Sequence, residues 1–222
     1  MKFLVCPHSV ARRQPQHDIL ARRHRSFISR SLRRAGPLSN DEARGLRLSW
    51  VSTRGDLNEA EQGNILAARR KRRWHTPAVP DLLDHLAVRT LHRDMFGQVW
   101  SWAGTYRNSE VNIGVPPDEI SVGVRDLMDN AKLWVGGSKQ MPVDEAGYRF
   151  HHRLVAIHPF PNGNGRHARE MTDLLLRALD TPRFTWGRAT LDTSSKTRDE
   201  YVTSLQEADR GDFTRLAAFT RS

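Results

Sequence analysis

His158-Pro159-Phe160-Pro161-Asn162-Gly163-Asn164-Gly165-Arg166-His167-Ala168-Arg169 is the stretch on which the reading of this chain turns. Downstream of it, Met171, Leu174, Leu175 and Ala178 recur at the 3–4 spacing of one helical face. Upstream, between Asp144 and Ile157, the residues Ala146, Phe150, Leu154 and Ile157 form a second such stripe. The stretch is therefore a loop between two helices, and it ends at the N-terminus of the second.

That placement carries chemistry. The first turn of a helix has backbone N–H groups without partners and the positive end of the helix dipole, so it attracts anions. Gly163 and Gly165 can take backbone angles closed to other residues, which lets successive N–H groups turn toward one point. Arg166 and Arg169 lie one helical turn apart, and the planar guanidinium fork suits phosphate oxygens. A di- or triphosphate is the natural occupant. His158, at the other lip of the loop, is placed to take a proton from a nucleophile approaching that phosphate, because an unperturbed imidazole titrates near neutrality.

Taken together, His158, Phe160, Gly163, Asn164, Gly165, Arg166 and Arg169 resemble the motif of the Fic family. Asn162 departs from it, standing where Fic enzymes usually carry Asp or Glu. A second stretch, Leu91-His92-Arg93-Asp94-Met95-Phe96 through Trp100-Ser101-Trp102-Ala103-Gly104-Thr105-Tyr106-Arg107, is similar to the family's Leu-His…Phe…Trp-Ala-Gly…Arg signature. A third is Tyr201…Leu205…Ala208…Gly211-Asp212. Leu46 to Trp50 and Ala60 to Ile65 resemble the branch called mobile mystery protein B.

The resemblance implies an all-α, Fic-type helical bundle with one short β-hairpin flap. It also implies transfer of AMP from ATP, with Mg²⁺, to a hydroxyl side chain of a target protein. His158 would be the general base. Asn162, Gly163, Asn164, Gly165, Arg166 and Arg169 would hold the nucleotide, with Asn162 at the metal and Asn164 toward the α-phosphate or the loop itself. The flap would be Asn108 to Val115, with Val111, Asn112, Ile113 and Gly114 pairing with an extended stretch of the target. That is edge-strand addition, which aligns a side chain with little demand on its sequence. Glu61, in Glu61-Gln62-Gly63-Asn64, resembles the glutamate of the family's inhibitory helix and would pair with Arg169. The alternative for Glu61 is an exposed acid favoured by the helix dipole.

Asn162 leaves three outcomes open. An amide oxygen brings no charge to a metal, so transfer could be slower with Mg²⁺ held mainly by phosphates. The donor could instead be a different phosphate compound, or the chain could bind nucleotide without catalysis. The intact Gly-Asn-Gly-Arg favours AMP transfer over the phosphorylation of the Doc branch. A second class of function is a toxin-like regulatory protein with a helix-turn-helix, antitoxin-like partner, which the mobile mystery protein B resemblance implies.

Composition bounds the rest. A chain of 222 residues holds one domain, with or without an arm. The one cysteine, Cys6, leaves no disulfide framework or cysteine-based zinc site and fits a reducing cytoplasm. No apolar run approaches the roughly 20 residues of a membrane span. Met1 to Cys6 is too short for a signal-peptide core of about 7–15 residues.

The net charge of +10 is concentrated. Residues 1–35 hold nine Lys or Arg against one acid, so 26 basic and 24 acidic residues remain for positions 36–222. The expectation is a basic, disordered arm over 1–35 and a Fic-like domain over 36–222. Such an arm could also touch nucleic acid through its phosphates or act as a targeting segment.

Along the domain, Ser39 or Asn40 opens a short helical turn, and Asp56 or Asn58 caps a helix from Glu59 to about Trp74. Leu57, Glu61, Ile65 and Ala68 lie on one side of it. The basic run Arg69 to Arg73 reads as a solvated helix end. Asp81 starts a helix that continues to Phe96, and Trp100, Trp102 and Tyr106 read as core rather than as stacking platforms. Pro117 to Trp134 is helical, and Thr193 caps a last helix through Tyr201, Leu205 and Ala208.

Overall fold

The computed structural model describes residues 44–111, 113–138, 140–187 and 195–222. The basic arm, the turn at Ser39–Glu42 and the Thr193 cap lie outside them. Among the described residues the fold is all-α, without a strand, and no helix is long and apolar enough to cross a membrane.

Helix α1 runs Arg54–Arg69. It starts earlier than the position of Asp56 or Asn58 suggests, because Thr53 and Asp56 cap each other. The Asp56 N–H donates to Thr53 Oγ1 at 3.2 Å, and the Thr53 N–H donates to Asp56 Oδ2 at 2.9 Å. That reciprocal box satisfies two N–H groups that a lone Asp cap would leave open. The helix also ends sooner, at Arg69, and a single 3₁₀ turn at Arg72–Trp74 carries the chain onward.

The expected helix from Asp81 to Phe96 is two elements, α2 (Val79–Leu82) and α3 (His85–Phe96). Asp84 interrupts them: its carboxylate accepts the Leu86 N–H at 2.6 Å and starts a new helix. A 3₁₀ turn at Pro117–Glu119 leads into α4 (Ile120–Gly136). Next come α5 (Val143–Ile157) and α6 (Asn164–Ala178), then α7 (Ser195–Asp209) and α8 (Thr214–Arg221).

Helices α5 and α6 pack closely along their length, α4 lies against α5, and α1 lies against α3. The main core fills the space between them, with Phe96, Phe150, Phe160, Leu154 and Met171 all fully buried. The helix stripes around the loop meet here, which is the strongest stabilising term a domain of this size has. A second apolar cluster of Leu176, Phe184, Trp186, Tyr201 and Phe219 seats α7 and α8 against the far side of α6. Trp100 is buried, and Trp102 and Tyr106 pack against the main core, as the apolar spacing around them suggests.

The basic run at the end of α1 is not simply solvated. Arg69 Nη2 lies 2.6 Å from the Glu170 carboxylate, and Lys71 Nζ lies 2.5 Å from that of Asp94. Asp94 also accepts the Trp74 indole N–H at 2.8 Å. Both acids are buried, so each needs a charged partner, and the run supplies them. Asn64 adds a second lock between α1 and α3, donating to Asp94 O at 3.0 Å and accepting the Gln98 N–H at 2.9 Å.

Candidate active site

Helix α5 ends because His158 turns the chain into the left-handed region, with φ 52° and ψ 59°. The loop then folds over Phe160, which is fully buried. Asn164 closes it. Its side-chain Oδ1 accepts the Phe160 N–H at 2.9 Å, and its Nδ2 donates to Phe160 O at 2.7 Å. Of the two destinations open to Asn164, its side chain takes the loop.

His92 ties the loop from below. The Gly104 N–H donates to His92 Nδ1 at 3.0 Å, so the ring proton sits on Nε2, which lies 3.0 Å from the carbonyl of Asn162. The ring stacks on Phe160 with centroids 3.7 Å apart. Burial, with His167 beside it, holds His92 well below the usual histidine range, so it stays a neutral structural ring.

The two loop glycines do different things. Gly163 is the N-cap of α6 with φ 79°, and a Cβ there would sit 2.7 Å from the Phe96 ring. Only glycine fits. Gly165 is already helical, and a Cβ there would meet nothing closer than 3.8 Å, at Arg169 Nη1. The expectation of two special backbone angles reduces to one. No side chain caps the first turn of α6, so its N–H groups face the loop mouth with Arg166 and Arg169 above them.

The arginines diverge. Arg166 rests over the Phe96 ring, 5.1 Å from Cζ to centroid, on the side of α1. Its Nη2 lies 2.6 Å from Glu61 Oε2, and Glu61 Oε1 accepts the Trp100 indole N–H at 2.7 Å. Glu61 is only 2% exposed. It is therefore neither a solvated first-turn acid nor the partner of Arg169 expected from the sequence. Arg169 turns instead toward α7, with Cζ 5.8 Å from the centre of the Tyr201 ring, and Tyr201 Oη lies 2.9 Å from His151 Nε2.

His158 Nδ1 is buried and faces the Val155 backbone carbonyl, which leaves Nε2 as the nitrogen that can meet a substrate. Burial first, and the nearby Arg107 guanidinium second, lower its pKa to about 4. The ring is neutral at pH 7 and able to accept a proton.

The expected hairpin over Asn108 to Val115 does not form among the described residues. Its carbonyls go to a side chain rather than to a partner strand: Arg107 Nη1 donates to Ser109 O at 3.0 Å, and Nη2 donates to Val115 O. Val111 is exposed, Ile113 and Gly114 are half-buried, and Asn112 lies outside the described residues. Sequence reasoning quoted Arg107, His92, Trp100 and Tyr201 within signatures but assigned none of them a contact in the site. The one signal for Arg107 was its place after the Trp102-Ala103-Gly104 run, which does not say what its side chain touches.

A magnesium ion finds little here. Asn162 Oδ1 is turned back onto the Gly163 N–H at 2.7 Å, and no group of three or more His, Cys, Asp or Glu among the described residues could hold a metal. The protein side alone does not make the site.

Residues 82–176, which include α3, the loop and nearly all of α6, match the model of the Fic/DOC family. Over those residues this chain is similar to the Fic/DOC family. The protein adenylyltransferase fic-1 of Caenorhabditis briggsae is 29% identical over 145 residues, covering 62% of this chain and 25% of that protein. The protein adenylyltransferase Fic of Drosophila persimilis is 33% identical over 136 residues, covering 58% and 25%. The chain thus spans about a quarter of the length of these curated relatives. The Fic fold is shared with Fic-1 of C. elegans at a TM-score of 0.55 and 22% identity, over 82% of this chain and 54% of that one. It is also shared with the BepC protein of Bartonella tribocorum, solved with bound AMPPNP, at 0.58 and 17%, over 82% and 96%.

Proposed function

We propose that this protein transfers AMP from ATP to a hydroxyl side chain of another protein. The observation that carries the reading is the facing of a neutral, half-buried His158 and an uncapped helix N-terminus bearing Arg166 and Arg169, across one glycine-turned loop. The curated relatives are named protein adenylyltransferases, and the solved BepC carries an ATP analogue, which supports the same chemistry here.

In this reading the triphosphate lies along the first turn of α6. Its negative charge meets the N–H groups of that turn and the two guanidiniums, which neutralise charge on the departing pyrophosphate. His158 Nε2 takes the proton of the target hydroxyl as its oxygen bonds to the α-phosphorus and the α–β bridging bond breaks. The segment 108–115 presents the target chain to His158. Mg²⁺, if used, arrives with the phosphates, since Asn162 offers one neutral oxygen, and no protein step depends on it.

Glu61 occupies Arg166, so the resting site is partly closed. The test is label transfer from α-³²P-ATP to lysate proteins, comparing wild type, Glu61→Gly, and Glu61→Gly with His158→Ala. A band that strengthens with the first change and vanishes with the second supports the reading. Retained ATP binding without any band, in any of the three, overturns it and turns attention to γ-labelled and other donors.

A further inference from the structure

Arg107 is 4% exposed, yet among the described residues no carboxylate contacts its guanidinium. It is satisfied by backbone oxygens alone: Nε donates to His158 O at 2.8 Å, Nη1 to Ser109 O at 3.0 Å, and Nη2 to Val115 O. Its own N–H donates to Pro159 O at 2.9 Å, and the Val115 N–H donates to Ile157 O at 3.3 Å. A buried cation with no carboxylate in contact is costly, and Glu110 acts on Arg107 only through space, so the surrounding carbonyl dipoles must satisfy it.

The geometry is a clamp. Two of the three carbonyls belong to the ends of the segment that follows Arg107, and the third belongs to the general base itself. Gly114 shows how tightly the parts are drawn together, because a Cβ there would stand 2.6 Å from Arg107 Nη2 and 2.8 Å from His158 Cβ. The left-handed turn at His158, unfavourable for a residue with a Cβ, is held by the bond from Arg107 to the His158 carbonyl.

We propose that Arg107 is a positioning residue that fixes the target-docking segment 108–115 in register with His158, so that one planar guanidinium sets both the segment that presents the hydroxyl and the base that deprotonates it. The inference rests on the reading of the site as a protein AMP transferase. Lysine cannot replace arginine here, since an ammonium on a flexible stem cannot span three carbonyls in one plane. The effect should fall on the protein substrate. ATP meets the other side of the loop, at α6.

The test uses the full chain in the Glu61→Gly background, with Arg107→Lys and Arg107→Gln. Readouts are ATP affinity, kcat and KM for the labelled target, melting temperature, and Glu-C cleavage after Glu110 followed by mass spectrometry. The expected result is ATP affinity within about twofold of the parent, a fall of roughly 10²-fold in kcat/KM for the target, and faster cleavage after Glu110 in both variants. Unchanged kcat/KM and cleavage in Arg107→Lys would overturn the proposal. So would a loss of ATP affinity in step with the melting temperature, which marks a merely structural arginine. Should the parent itself transfer nothing, the transferase reading fails, while the cleavage and ATP-affinity comparison still decides whether Arg107 holds the segment.

Discussion

Glu61 Oε2 and Arg166 Nη2 stand 2.6 Å apart, joining the second turn of α1 to the first turn of α6 across the mouth of the loop. In the proposed transfer, the carboxylate sits on a guanidinium that the incoming phosphate would meet. Removing it in Glu61→Gly should raise ATP affinity and target labelling by about tenfold or more, because the ligand no longer competes with an internal anion. Equilibrium binding of a fluorescent ATP analogue checks it; equal affinity in wild type and variant would show that the pair does not gate the site.

Trp100 holds the other oxygen of that carboxylate. Trp100→Phe keeps the ring packing and deletes only the donor, leaving a buried Glu61 oxygen short of one hydrogen bond. The expected cost is about 1–3 kcal/mol, read as a fall of several degrees in melting temperature, with ATP affinity moving in the same direction as in Glu61→Gly. A variant as stable as wild type would mean that Arg166 alone suffices.

The glycines of the loop separate fold from binding. Gly163→Ala meets the Phe96 ring at 2.7 Å and a left-handed backbone, so it should destabilise by about 1–3 kcal/mol. Gly165→Ala meets nothing closer than 3.8 Å and is helical, so it should fold with wild-type stability. Its added methyl group borders the first turn of α6, and ATP affinity should drop. Thermal melts and nucleotide titrations of the two variants provide the contrast.

His158→Ala should leave ATP binding intact and lower transfer by about 10²–10⁴-fold. The acid limb follows from the depressed pKa. The imidazole is the base only when neutral, so with a pKa of about 4 the rate should rise with pH through that value and level off above it. An acid limb near the ordinary histidine value would place His158 in a more solvated setting than the one described.

Four histidines, the buried His92, His151 and His167 and the half-buried His158, have pKa values lowered by desolvation, those of His151 and His167 to about 3. Unfolded, each titrates near 6.5. Below that value the unfolded chain takes up protons that the folded chain refuses, so stability falls with pH from about 6.5 toward 4. Asp173 acts in the opposite sense, its pKa raised to about 6 by burial, and it favours folding as it protonates. With four groups against one, denaturant melts at pH 7 and pH 4.5 should show the acid sample less stable.

Periodicity made much of this legible. The stripes flanking the loop predicted α5 and α6 within a few residues, and the same stripes form the observed core. What escaped was decided by contacts between distant segments. Arg166 and Arg169 share a helix face, so spacing alone cannot say which one Glu61 meets; the crossing of α1 over α3, fixed by Asn64 and Trp100, settles it. The alternating run 108–115 carries the pattern of a strand, but a strand also needs a partner, and the Arg107 guanidinium supplies donors to its carbonyls in place of one. The Thr53–Asp56 box was present as residues, and it went unread because Asp56 could serve as a cap by itself.

The tautomer of His92 has a practical consequence. Its Nε2 proton is buried and bonded to the carbonyl of Asn162. A proton so shielded exchanges slowly with water and resonates far downfield of the amide envelope, in a spectral region with few competitors. This chain thus carries, beneath the motif loop, a built-in magnetic probe whose frequency reports on the carbonyl of Asn162 and so on the loop itself.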